Sequence, residues 1–200
     1  MTGSPVPSGR GSEHAKGAAR RALILHTAGE VLAADGVQGF SLRKVAQASG
    51  IRLGNLQYYF PTGRDLVESL LEAHLTAGLA RLTDVADDPD AMLDALLAEH
   101  ADRSLVAGFL AIWELAAHDQ ATAAALSEFY DRYTAIVAAE IHRRCPQLPL
   151  TTATARARVA VMLLEGAAVL RSGVGGEPDT ESDAQLRTAV ARLLGADEDR

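Results

Sequence analysis

A single glycine between two short apolar-patterned runs constrains the fold of this chain more than any other feature. In SLRKVAQASGIRLGNLQYYF, residues 41–60, Gly50 stands where one helix must stop and another begin. Glycine takes a left-handed backbone without steric cost, which suits that junction. Ser41 is a side-chain N-cap for the first run, where Leu42, Val45, Ala46 and Ser49 recur at helical spacing. Ala46 keeps the approach of the two runs narrow, Ile51 faces back toward the first, and Leu56 fills the space beneath. This spacing predicts a helix-turn-helix, whose second helix can enter the DNA major groove. A plain helical hairpin shares the turn-and-core pattern, so the flanks must decide.

Upstream, RALILHTAGEVLAADG (21–36) places Ile24, Ala28, Val31 and Leu32 on one helical stripe, and Asp35-Gly36 is a stop. Downstream of Phe60 and Pro61, Thr62-Gly63-Arg64-Asp65 has the form of a capping box opening a longer helix. Within the second motif helix, Arg52, Leu53, Gly54, Asn55, Gln57, Tyr58 and Tyr59 occupy the exposed first turns. Asn and Gln can pair bidentately with adenine, and Arg with guanine. The bland alternative is a solvated helix face.

Later helices are expected from Arg64 to about Val85, from Asp88-Pro89 to about Asp102, and from Ser104 to His118. Others run from Asp119 or Gln120 to Arg144, from Thr151 or Thr152 to about Ser172, and from the Thr180–Asp183 cap to Gly195. Strand-forming runs are absent. The expectation is an all-α chain of about nine helices. Residues 1–17 read as a disordered tail, 18–78 as a DNA-binding domain, and 79–196 as a ligand-binding and dimerisation domain. The last five residues read as frayed.

Charge is divided along the chain. Residues 1–64 carry eight Lys/Arg against three acids, whereas residues 65–200 carry 11 against 23. A uniformly acidic chain would repel DNA, but here the positive charge collects where the motif lies. Cys145 is the only cysteine, so no intrachain disulfide can form, which fits a cytoplasmic location. No signal segment or membrane helix is expected: VAVMLLEGAAVL is broken by Glu165 and Gly166.

The blocks ILHTAGEVLAADGVQGFSLRKVAQASGI and LGNLQYYFPTGRDLV, in this order and spacing, resemble the TetR family of one-component transcriptional repressors. The likeness runs from about Arg20 to Leu75. The segment FLAIWELAAHDQATAAALSEFYDRY is similar to the ligand domains of the branch containing the betaine-synthesis repressor. The resemblance implies that the second motif helix lines the major groove and that Tyr58 and Tyr59 contact phosphate. It also implies a base or phosphate contact for Arg43, and a phosphate contact at Thr62. Gln57 replaces a frequent tyrosine and Gly63 a frequent lysine, whose phosphate contact Arg64 can supply. Ser41 belongs to the same DNA-facing set.

In the second domain Phe109, Trp113, Glu114 and His118 lie on one helix, and Tyr130 and Tyr133 on the next. Aromatics with polar tips suit a mostly apolar pocket, although helical core is the commoner fate of such spacing. Glu114 and His118 also have a metal-ligand spacing, but no second cluster completes a site, so no metal or cofactor is expected. Val159, Met162, Leu163 and Leu170, with Leu186, Val190 and Leu193, form apolar stripes on the last two helices. The resemblance implies that these helices pair with their mates in a homodimer; otherwise they close the monomer's own core. The combined expectation is a repressor released from a palindromic operator on double-stranded DNA by a small-molecule effector. An activator or architectural protein without a ligand is the alternative. A helical enzyme lacks a nucleophile–base pair, phosphate loop or metal cluster.

Overall fold

The computed structural model describes residues 9–84, 89–99, 101–173 and 175–195. Helices are the only regular elements among them: α1 (Gly9–Gly39), α2 (Leu42–Ala48), α3 (Leu53–Tyr59), α4 (Gly63–Asp84), α5 (Pro89–Glu99), α6 (Arg103–His118), α7 (Gln120–Arg144), α8 (Leu150–Arg171) and α9 (Thr180–Leu193). The all-α expectation holds.

The stripe expected on α1 is enclosed: Ile24 and Ala28 expose nothing, and Leu32 almost nothing. The expected stop at Asp35-Gly36 is a kink, with Gly36 at φ +61° and helical turns continuing to Gly39. α1 also starts earlier than expected. Residues 9–17, assigned to a disordered tail, are helical, because extending an existing helix adds one hydrogen bond per residue without a new nucleus. Residues 1–8 of that tail, the Asp88 cap and the frayed end after Gly195 lie outside the described residues.

α2 begins on Ser41, whose hydroxyl accepts from the Lys44 N–H at 3.2 Å. Gly50 takes φ +66°, as the turn requires. Val45 and Leu56 are fully buried against Ile24, Ala28 and Phe60. Each such side chain stabilises the module by about 1.5–3 kcal/mol.

α4 belongs to two cores. Leu66 packs in the N-terminal module, while Val67, Leu71 and Leu75 join Leu32, Ile112 and Phe129 in a second cluster. α1 packs extensively on α6. The first three helices are thus seated on the second domain through α1 and α4 together. A third cluster joins α5, α7, α8 and α9, where Ala153 and Ala157 let α8 lie close to its neighbours.

The cap of α9 is Asp179, whose carboxylate accepts from the Ser182 N–H at 2.9 Å, rather than the run Thr180–Asp183. Asp183 instead accepts from the Arg171 guanidinium at 2.6 Å, tying α9 to α8. That hydrogen-bonded guanidinium holds the Asp183 carboxyl below its ordinary value. A carboxyl lowered on folding adds stability above its unfolded pKa, and this is lost as pH falls through the lowered folded value. Melting temperature is therefore expected to fall below pH ~4, and Asp183→Asn to flatten that acid limb while lowering Tm at neutrality. Thermal melts on both chains across that range check this.

Candidate nucleic-acid interface and effector cavity

Two places in this fold gather chemistry. The first is the outer face of α2 and α3. Arg43, Arg52, Gly54, Asn55, Gln57 and Tyr58 are exposed there, and Tyr58 is 83% exposed. An exposed tyrosine beside Asn, Gln and Arg on one short helix offers both base-edge and phosphate donors. Tyr59 stands edge-on to Tyr58, with ring centroids 5.2 Å apart.

Some expected DNA-facing residues are shared with the core. Leu53 and Tyr59 are half-buried against the module's interior. The Ser41 hydroxyl is engaged in capping α2. Thr62 closes the expected capping box: its N–H donates to the Asp65 carboxylate at 2.8 Å, and the Asp65 N–H donates to the Thr62 hydroxyl at 3.1 Å. Arg64 is exposed and donates to Glu68 at 2.6 Å, so a phosphate there must exchange with that carboxylate.

The second place is a cavity between α4, α6 and α8. Phe109 and Trp113 line it, as expected. Its other named features were not anticipated: His74 from α4 and Glu165 from α8. The indole N–H of Trp113 donates to the Tyr130 hydroxyl at 3.0 Å. Tyr130 in turn is hydrogen-bonded to Glu165. Burial, and then the Glu165 carboxylate, push the Tyr130 phenol well above its ordinary pKa, so it stays protonated and serves as donor. The His74 ring stands edge-on to Phe109 at 4.6 Å.

Four expected pocket residues do not line the cavity. Glu114 and His118 are exposed on the far side of α6, because that helix turns Phe109 and Trp113 inward and its 3.6-residue period carries Glu114 outward. Tyr130 and Tyr133 stand behind the cavity wall, packed around Phe129 at 5.1 and 6.2 Å, rather than lining it. Among the described residues no group of three or more His, Cys, Asp or Glu could hold a metal ion. No helix among them is long and apolar enough to cross a membrane.

The expected interface residues separate by burial. Val159, Met162 and Leu170 are exposed by 45%, 68% and 61%. Ala155 and Gly166 share their face of α8 and are exposed too. Val190 is fully buried in the chain's own core, and Leu163 and Leu186 pack partly against it, so these three do not offer a free face. Leu193 is half-buried.

No protein-family model and no curated relative matches the sequence. Solved structures do match. A TetR transcription regulator from Haloarcula marismortui aligns with a TM-score of 0.70 at 19% identity, over 90% of this chain and 98% of that one. The fold is the TetR type. A TetR-family member from Streptomyces coelicolor aligns at 0.63 and 23% identity, over 87% and 97% of the two chains. A regulator from Saccharomonospora viridis, solved in complex with choline, aligns at 0.64 and 18% identity, over 90% and 97%. The exposed α3 face precedes the start of α4 at Gly63, and the Glu165 cavity meets α4 at His74, near its middle.

Proposed function

We propose that this chain is a homodimeric transcriptional regulator, a repressor that leaves a palindromic operator when a small molecule fills its second domain. The observation that carries the reading is the outer face of α3. Arg52, Asn55, Gln57 and Tyr58 all point outward there, on a module whose inner side is fully packed. The concentration of basic residues in the first 64 positions supports it, since net positive charge draws the phosphate backbone. The unpartnered stripe on α8 supports the dimer, which sets two recognition helices against two half-sites. The choline-bound regulator of the same fold, and the likeness of residues 109–133 to betaine-synthesis repressors, support a small amphiphilic effector.

The mechanism needs two states only. An effector that prefers the arrangement with misplaced α3 helices weakens DNA binding by its differential affinity, and DNA weakens the effector equally. α4, present in both cores, carries the coupling.

Arg52→Ala and Asn55→Ala are each expected to cost operator affinity about 1–3 kcal/mol where a base contact is lost. Tyr58→Phe and Tyr59→Phe should weaken specific and non-specific DNA alike. Gel-shift titrations against an operator selected from random sequence test this, and unchanged affinity in all four variants would remove α3 as the reader. Trp113→Ala is expected to hold operator normally yet fail to release it. A variant still fully inducible would return Trp113 to a purely structural role.

A further inference from the structure

A crevice of about 500 Å³ opens between α1, α4 and α6. Small-molecule sites span roughly 300–1,000 Å³. The crevice walls are apolar: Leu25 and Leu32 from α1, Leu70 and Leu71 from α4, and Leu105 and Ile112 from α6. Two glycines, Gly29 on α1 and Gly108 on α6, lie in the same lining. Neither has a positive φ. A side-chain carbon at Gly29 would come no closer than 4.0 Å to Leu70, and one at Gly108 would meet nothing within 4 Å. Neither backbone conformation nor close packing therefore requires glycine at these positions, whereas glycine inside a helix is unfavourable relative to alanine. What the two glycines do is keep the crevice open.

The charged groups at its mouth are already engaged. His26 and Glu30 are mostly exposed and pair with each other at 3.5 Å. The exposed Asp102 carboxylate caps α6, accepting from the Ser104 and Leu105 N–H groups at 2.9 and 3.1 Å. The His74 ring stands against Phe109. No Lys or Arg lines the crevice among the described residues. An anion would meet two carboxylates and no fixed cation. A cation would compete for acids that already have partners and stand in water, where such pairs gain little. Burial of apolar surface is therefore what a ligand can gain here.

We propose that this crevice is a binding site for an uncharged apolar molecule, aromatic or aliphatic. The site goes beyond the effector reading above and does not depend on it. Leu25 of α1 belongs to the core of the N-terminal module, and Ile112 of α6 to the second cluster. A molecule seated between them touches both at once. Occupancy therefore restrains α1 against α6, and amide exchange in these two helices should slow with the ligand in place.

The test uses N-phenylnaphthylamine, which is uncharged at neutral pH and fluoresces in apolar surroundings, titrated against the full chain without DNA. Anilinonaphthalene sulfonate is the same ring skeleton with a fixed anion. The uncharged probe is expected to bind once per chain, at least about tenfold more tightly than the sulfonate. Octanol should displace it at concentrations at least about tenfold below those of octanoate or octyltrimethylammonium. Gly108→Leu places a side chain in the crevice and should weaken the probe at least about tenfold with unchanged circular dichroism. If the leucine lowers Tm, the Gly29→Ala/Gly108→Ala chain decides, since it should melt at or above the native temperature and still bind the probe more weakly. Equal binding of the sulfonate, or displacement by either charged chain at octanol's concentration, overturns the ligand class. Absence of probe binding overturns the site, as does native binding in Gly108→Leu or, where that variant is destabilised, in the double alanine chain. Unchanged amide exchange in α1 or α6 at saturation overturns the seat between them. Because no DNA is present, failure of the DNA-binding reading leaves this result standing, and the converse holds too.

Discussion

A chain carrying Met162→Glu and Leu170→Glu is expected to sediment as a monomer at micromolar concentration, where the native chain is expected to sediment as a dimer. Both side chains project from α8 with more than half their surface exposed. With Val159 and Gly166 they follow helical spacing along one face, whose opposite side is sealed into the chain's own core by Ala153, Ala157 and Leu164. A two-fold pairing through this stripe doubles every substitution, so four carboxylates would enter an interface where the exposed Arg158 of each copy offers one cation. An unpaired buried charge costs several kcal/mol even after relaxation, which exceeds the margin of an ordinary dimer. Operator affinity should fall by about a hundredfold or more, since one recognition helix spans only a half-site. Folding should be unaffected, because both positions face solvent in the isolated chain. Analytical ultracentrifugation, circular dichroism and fluorescence anisotropy with operator DNA measure the three quantities. A double variant that remains dimeric would move the interface off α8, to the outward face of α9.

The contrast between Val159 and Val190 shows what the sequence could and could not say. Each sits in an apolar stripe at helical spacing, and periodicity identifies both stripes equally well. It does not say which stripe meets the chain's own core and which is left over, because that depends on how α5 and α7 are placed against them. In the structure Val190 is enclosed and Val159 is not. The N-terminal module was legible for the opposite reason. Gly50, Ser41, Ala46 and Leu56 act over a few residues, so local chemistry dictates their arrangement, and the Thr62–Asp65 cap is equally local.

The cavity was half legible. Phe109 and Trp113 lie four apart on α6, and one orientation turns both inward. The same orientation carries Glu114 outward, and the acid at the cavity, Glu165, comes from α8. In the sequence Glu165 stands out only as a charge interrupting VAVMLLEGAAVL. A single carboxylate inside so apolar a run carries a desolvation cost that needs a reason, and that was the available signal. His74 gave none, because α4 shows no pattern that distinguishes its cavity side.

Phe60→Ala is expected to destabilise the N-terminal module by about 3–5 kcal/mol and, on the proposed function, to abolish operator binding. Phe60 is 1% exposed and closes α3, its N–H donating to the Leu56 carbonyl at 2.9 Å. Its ring packs in the same cluster as Leu56, Val45 and Leu66, with the Arg21 guanidinium 5.1 Å above its centre. Arg21 also donates to Ser69 at 2.9 Å, so one ring anchors the meeting of α1, α3 and α4. Removing it leaves a cavity where those three helices converge and frees the arginine above it. Phe60→Leu keeps most of the volume and should cost less than about 1.5 kcal/mol. The second cluster does not contain Phe60, so Trp113 emission should be native in both variants at low temperature. Hydrogen exchange should accelerate across α2 and α3 in Phe60→Ala and spare α7 and α8. Uniform acceleration across all helices would mean that the module and the second domain unfold as one unit. In that case α4 transmits stability as well as position between the two clusters.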